Sequence, residues 1–322
     1  MQRLFQAFIN YAKLRLFIIL IKCGFFSLTL HIISRQASFT KTNNKRIAGV
    51  VTVEMAKERI LFINQEITPY LSATPISSLG KFLPVAMQEK GFEVRTFMPK
   101  FGAVNERRNQ LHEVIRLSGI NININDNDHP LVIKVASLQP SRIQVYFIDN
   151  DDYFQKLASD IDDSGANRAD NDERAIFFAR GTMETAKKLR WEPKVIHCSG
   201  WISSLLPLYI KRIYSDDPSF KASKVVYVVQ PSKDMAPIDE KFLNKLKSEG
   251  FSQRDLKKYA TENLNVDLLH KIGVDFSHGV IVNDPEISEE LLKYIQDSGK
   301  PVLMSQDMAQ DAQLYLDFYN SL

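Results

Sequence analysis

RILFINQEITPYLSATPISSLGKFLPVAMQEKGFEVRTFMP, residues Arg59 to Pro99, decides the fold. Its opening run, Arg59-Ile60-Leu61-Phe62-Ile63-Asn64, is apolar without alternation, as expected of a strand covered on both faces. A loop through Thr68-Pro69-Tyr70 follows. From Ile76 to Glu89 the residues Leu79, Leu83 and Met87 recur four apart, which is helical spacing, and Gly91 closes the segment. Phe92 to Met98 then reads as a second strand ending at Pro99. Strand, helix and strand within about forty residues make a βαβ unit with a right-handed crossover. An open, mostly parallel α/β sheet with helices on both faces is the expected architecture, running from about Glu58 to about Leu303.

Further along, the segment 111–148 changes character. Leu111 to Ile115, Leu131 to Val135 and Arg142 to Ile148 read as short strands, a β-rich excursion from the parallel core, and the Asn/Asp-rich stretch Asn121 to His129 reads as a solvated turn or loose hairpin. Asp160 to Glu173 is the most acidic region. It loosely suggests a calcium loop through Asp160, Asp162 and Gly165, but Ser164 and Asn171 stand where that motif needs a ligand and its bidentate Glu, so a loop capping a helix from Glu173 to Leu189 is expected. The α/β rhythm then resumes, with strands at Lys194 to His197, Lys224 to Val229, Gly279 to Val282 and Lys300 to Leu303. Helices are expected at Trp201 to Tyr214, Asp267 to Val274 and Ser288 to Gln296, and the tail 304–322 as a helix on the surface.

Composition narrows the function. With 44% apolar and 25% charged residues in 322, the chain can bury a large core. Cys23 and Cys198 show no framework spacing, which argues against a disulfide-stapled fold, and there is no CxxC pair for a soft metal. The net charge of +3 hides a leader, residues 1–54, whose first 50 residues carry eight cations and no acid; the remainder, at −5, has no basic stripe for nucleic acid. Within that leader, residues 14–33 are apolar but include Arg15, Lys22 and His31. A membrane anchor, an export signal and sequence upstream of a true start at Met55 all remain open. The last is favoured, because MAKERILFINQE from Met55 is how a cytoplasmic α/β enzyme commonly begins.

Ligands of an open parallel sheet collect beyond the carboxyl ends of its strands, here the loops from Asn64, Pro99, His197 and Gln230. Several of these loops carry a family resemblance. Glu66-Ile67-Thr68-Pro69-Tyr70-Leu71, Leu83-Pro84, Gly91-Phe92-Glu93-Val94 and Met98-Pro99-Lys100-Phe101 occur in order; the helix from Arg174, Val195-Ile196-His197-Cys198-Ser199-Gly200-Trp201 and Asn265 to Val282 follow. This succession resembles the N-terminal, acceptor-side domain of the bacterial glycogen and plant starch synthases, retaining glycosyltransferases of the GT-B type. The resemblance implies a Rossmann-like domain, an α-glucan acceptor and a sugar-nucleotide donor, ADP-glucose or UDP-glucose. It makes Glu66, Tyr70, His197 and Trp201 candidate substrate contacts, with His197 the one candidate for a catalytic role.

Departures from the family pattern fall on the nucleotide side. Its Lys-Thr-Gly-Gly loop lands on Ser72, Ala73, Thr74 and Pro75, and the following Asp on Ser78. The cation is thus lost, and proline has no N–H to offer a phosphate. The motif's second His and its Asp are Ser199 and Gly200, and the later H-N-x-x-x-Q-G loop is Gln230-Pro231-Ser232-Lys233-Asp234-Met235. The family's second α/β domain supplies most nucleotide contacts, and the roughly thirty residues after Leu292 are too few for one. Bland readings stand beside the sharp ones: Glu66 as a loop-entry carboxylate, His197 as a satisfied core histidine, Trp201 as helix packing and Lys81 and Lys100 as solvated lysines. Cys198 lacks a general base at motif spacing, and Asp149, Asp151 and Asp152 are expected to be solvated. Three functions are consistent with this pattern. The first is a glucan- or partner-binding relative without autonomous transfer, the second a transferase completed by a partner chain with a second α/β domain, and the third an unrelated role on a reused scaffold.

Overall fold

Ten strands make the sheet. In chain order they are β1 (Arg59–Ile63), β2 (Glu93–Pro99), β3 (His112–Glu113), β4 (Ile120–Ile124), β5 (Asn127–Leu138), β6 (Ile143–Asp149), β7 (Val195–Ser199), β8 (Lys224–Val229), β9 (Gly279–Val282) and β10 (Val302–Met304). The computed structural model from which they are read describes residues 57–155, 168–232, 235–305 and 310–322. The basic leader and the acidic loop at Asp160 lie outside the described residues. Across the sheet the order β10-β9-β8-β7-β1-β2-β6 is parallel throughout. Beyond β6 the edge turns antiparallel, with β5 on β6 and both β3 and β4 on β5. The chain therefore winds outward from β1 in one direction and from β7 in the other, so the order reverses between two strands that pair directly.

Helices close both faces: α1 (Pro75–Glu89), α2 (Asn171–Leu189), α3 (Leu206–Arg212), α4 (Phe242–Ser248), α5 (Gln253–Leu256), α6 (Val266–Phe276), α7 (Glu289–Asp297) and α8 (Ala312–Asn320). Successive side chains of a strand point to opposite faces, and β7 shows which helices lie where. His197 meets Tyr319 of α8, while the next residue, Cys198, lies on the side of its cross-strand neighbour Tyr227, whose hydroxyl is 2.7 Å from His270 Nδ1 of α6. Residues Ile60 to Ile63 of β1 are each no more than 1% exposed, as their unbroken apolar run requires. On the α6 side, Lys245 of α4 is buried and pairs with Asp172 (2.7 Å) and Glu173 (2.8 Å) at the start of α2 and with Asp239 (3.0 Å).

Three segments go beyond the sequence reading. Of the two alternatives for Asn121 to His129, the structure shows a hairpin and not a solvated turn: Ile120, Ile122 and Ile124 alternate with Asn121 and Asn123, so β4 buries Ile122 and Ile124 and half-buries Ile120 while its asparagines face out. Only Asn125 and Asp126, both at positive φ, turn the chain into β5. Trp201 to Tyr214 is a 3₁₀ turn, Trp201–Ser203, followed by α3, whose start is marked by Pro207. The tail forms the helix α8, exposed on one side and packed on the other. Tyr315, Phe318 and Tyr319 of α8 are buried; Tyr315 reaches Asn283 and Ser305 just past β9 and β10, and Lys90 at the end of α1 donates to Gln313. Together α1 and α8 cover one face of the parallel sheet.

Candidate functional site

The reversal of strand order opens a crevice between the residues that leave β1 and those that leave β7. From β1 come Asn64, Gln65 and Glu66, all largely buried. Glu66 accepts from Gln65 Nε2 (3.2 Å) and from Thr74 Oγ1 (3.2 Å). Helix α1 presses on this turn so closely that a Cβ at Gly80 would stand 2.3 Å from the Glu66 carbonyl oxygen. From β7 comes Gly200, at φ 84° and ψ 170°, a region that only glycine occupies readily. A Cβ there would stand 2.5 Å from Gln65 Oε1 and 3.0 Å from Gln230 Oε1, the latter just past β8. Both amide oxygens are buried without a hydrogen-bond partner among the described residues. The two glutamines thus fill the volume that a side chain at position 200 would take.

The loop aligned with the family's phosphate loop is committed to starting a helix. Thr74 is the N-cap of α1: its Oγ1 accepts from the Ser77 N–H (3.0 Å), and Ser77 Oγ accepts from the Thr74 N–H (2.9 Å). Ser77 Oγ also lies 2.8 Å from the Ser72 carbonyl, Pro75 has no N–H, and the Ser78 N–H is used by the Thr74 carbonyl. Ser72, Ala73 and Pro75 are exposed. Ser78 and Lys81 turn away from the crevice into a hollow beside α1 shared with Thr68, Phe82 and Gln310.

The other candidate residues separate in space. His197, 1% exposed, is enclosed by Phe62, Tyr315 and Tyr319, with its Nδ1 2.8 Å from the Tyr319 hydroxyl; burial pushes its pKa down to about 3, so the ring is neutral. Trp201, also 1% exposed, lies under the Arg174 guanidinium, 5.5 Å from its ring centre. Burial pushes the Cys198 thiol up, away from thiolate character. Tyr70 meets Phe147 edge-on at 5.0 Å, and burial raises its phenol to about 12.

Lys100 is not a solvated lysine. It is 3% exposed, donates to Gln155 Oε1 (3.0 Å) and pairs with Glu106 (2.9 Å). Glu106 pairs in turn with Lys134 (2.7 Å), and Lys134 with Asp149 (2.9 Å), which accepts from Gln155 Nε2 (2.7 Å). Asp149, expected in solvent, is 3% exposed inside this ring, whereas Asp151 and Asp152 are exposed. Among the described residues no group of His, Cys, Asp or Glu is placed to hold a metal ion, and no helix is long and apolar enough to cross a membrane. Gln65 has no sequence signal; its part in the crevice is visible only through the approach to Gly200.

A doubly wound parallel sheet with an antiparallel edge, its strand order reversing between β1 and β7, defines one Rossmann-like half of a GT-B-type glycosyltransferase. The chain belongs to the starch synthase catalytic domain family, whose profile matches residues 59–303. Glycogen synthase of Chlorobium limicola is 35% identical over 210 residues, 65% of this chain and 42% of that protein. Glycogen synthase of Chlorobaculum parvum is 32% identical over 266 residues, covering 78% of this chain and 54% of the relative. Among solved structures, the catalytic domain of Starch Synthase IV from Arabidopsis thaliana bound to ADP and acarbose aligns with a TM-score of 0.62 at 15% identity, over 77% of this chain and 51% of that one. At that identity the likeness shows the fold alone. The chain spans about half the length of these relatives.

Proposed function

We propose that this domain binds an α-glucan and does not by itself transfer glucose from a sugar nucleotide. The observation that carries this reading is the capping box at Thr74. Where the family offers a lysine and two glycines to the donor's phosphates, this chain presents Ser72, a threonine and a serine that consume each other's N–H groups, and a proline that has none. Gly200 and its two glutamines support the same conclusion, because no carboxylate stands at the motif's Asp position and no room is left for one. Acarbose, held by the starch synthase of similar fold, is a carbohydrate, and this suits an acceptor-side domain that has kept its scaffold.

Calorimetric titration of the full chain with maltoheptaose, ADP-glucose and UDP-glucose tests this, alongside incorporation of labelled glucose into glycogen. Binding of maltoheptaose without either nucleotide, and no incorporation, is the expected result. Incorporation by the chain alone would refute it.

A further inference from the structure

The amino ends of the parallel strands lie opposite the crevice, and backbone hydrogen bonds set them in a row. The Lys194 N–H donates to the Arg59 carbonyl (2.8 Å), the Lys224 N–H to that of Lys194 (2.9 Å) and the His278 N–H to that of Val225 (2.7 Å). The Val280 N–H of β9 donates in turn to the carbonyl of Pro301 (3.0 Å), the residue after Lys300. Lys224, His278 and Lys300 therefore lead into three neighbouring strands, β8, β9 and β10, spaced about 4.8 Å apart. The six residues of β8, at about 3.3 Å each, put this row roughly 20 Å from Gln230 and the crevice.

Charge is matched at one end of this row and unmatched at the other. Arg59 pairs with Glu93 (2.9 Å) and Lys194 with Glu58 (2.7 Å). Of the other cations in the region, Arg212 pairs with Asp255 and Lys258 with Asp275. Lys224, and Lys211 in the last turn of α3, make no ion pair or side-chain hydrogen bond among the described residues. Lys300 gives one ammonium hydrogen to the Ser277 carbonyl (2.6 Å), which fixes it one residue from His278 and leaves it two more. The His278 Nδ1 accepts from the Val225 N–H (3.0 Å), so the neutral ring carries its proton on Nε2, which has no partner among the described residues. These groups act on one another: burial and the charges of Lys211, Lys224 and Lys300 lower the His278 pKa, and burial and Lys211 lower that of Lys300 against the pull of Asp275.

Each side-chain group in this cluster is a donor. Sugar hydroxyls and amides need an acceptor as well, whereas phosphoryl oxygens only accept. Three ammonium groups and one imidazole N–H are too few to follow a polyanion along its length, but they suit the oxygens of a single phosphoryl group. We infer that Lys211, Lys224, His278 and Lys300 form an anion site that binds a phosphate dianion, free or as the end of a phosphomonoester, on the side of the sheet opposite the crevice. Its occupancy does not depend on what the crevice binds.

The test is calorimetric titration of the full chain with inorganic phosphate, and separately with glycerol phosphate, in a buffer free of other multivalent anions. Lys224→Gln and Lys211→Gln alter side chains that make no hydrogen bond or ion pair among the described residues, and urea unfolding of each confirms an unchanged fold. Each is expected to weaken phosphate binding roughly tenfold, the loss of one charged hydrogen bond. Lys81→Gln, in the hollow beside α1, removes the same charge elsewhere and should leave binding unchanged. Glycerol phosphate that binds more tightly than phosphate identifies a monoester as the occupant, and the reverse order identifies the free ion; either supports the site. No binding of either anion by the unaltered protein, or a loss in Lys224→Gln and Lys211→Gln no larger than in Lys81→Gln, overturns it.

Discussion

Restoring the family's carboxylate at position 200 should damage this protein, and the size of the damage can be worked out from the crevice. At φ 84° and ψ 170° any residue with a Cβ is strained by about 1–3 kcal/mol. That Cβ would also stand 2.5 Å from Gln65 Oε1 and 3.0 Å from Gln230 Oε1, so both buried amides must shift. Gly200→Ala is therefore expected to cost about 2–4 kcal/mol. Gly200→Asp adds a buried charge facing two acceptor oxygens and should cost more, about 4–6 kcal/mol. Urea unfolding followed by circular dichroism reads this as a lowered midpoint at unchanged slope. Gln65→Ser in the same chain removes the nearest amide and should recover roughly 1–2 kcal/mol of the loss, leaving the backbone strain in place. If Gly200→Asp unfolds at the same urea concentration as the parent protein, the glutamines do not fill the crevice and the argument for occlusion fails.

Three more outcomes can be checked on the same instrument. Tyr319→Phe leaves the buried His197 Nδ1 without its 2.8 Å partner and should cost about 1–3 kcal/mol; an unshifted midpoint would mean that α8 does not engage β7. Lys245→Met strands Asp172, which is fully buried, and should cost about 3–5 kcal/mol, with a shift below about 1 kcal/mol counting against the ion-pair network. His197 and His270 are held neutral by burial, with pKa pushed down to about 3 and about 4, below the value near 6.5 in the unfolded chain. The unfolded state therefore binds more protons below pH 6.5. The stability these rings contribute is complete above that pH and is lost as pH falls, by about 1.4 kcal/mol per unit for each, and urea midpoints that stay level from about pH 7 to about pH 5.5 would refute it.

The parallel core can be read from the sequence because its signals are local. Ile60 to Ile63 and Val225 to Val229 are unbroken apolar runs, and burial on both faces is the only stable place for them. In the hairpin β4–β5 two signals conflict: its composition, rich in Asn and Asp, points to a turn, whereas its alternation points to a strand. Alternation decides, since three isoleucines on one side of ININI bury more apolar surface than the solvated asparagines can oppose. Lys100 and Asp149 escape a sequence reading for a different reason. Nothing in the chain near either one reveals the ring through Glu106, Lys134 and Gln155, which joins residues up to 55 positions apart.

The site is legible in part, and the limit is geometric. A motif aligned by position carries residue identities but not the direction of each side chain along β7. His197 and Ser199 alternate with Cys198, and it is Gly200, one residue beyond the strand, whose missing Cβ opens toward the glutamines. Gln65 becomes important only because position 200 is glycine, a dependence between residues far apart in the chain that no spacing rule contains. The tail shows the reverse case. Tyr315, Phe318 and Tyr319 lie at i, i+3 and i+4, a helical stripe visible in the sequence. A histidine in the middle of the apolar run Val195 to Cys198 needs a polar partner once it is buried. Each half of the His197–Tyr319 pair announces a need that the other satisfies, and only the folded sheet brings the two to 2.8 Å.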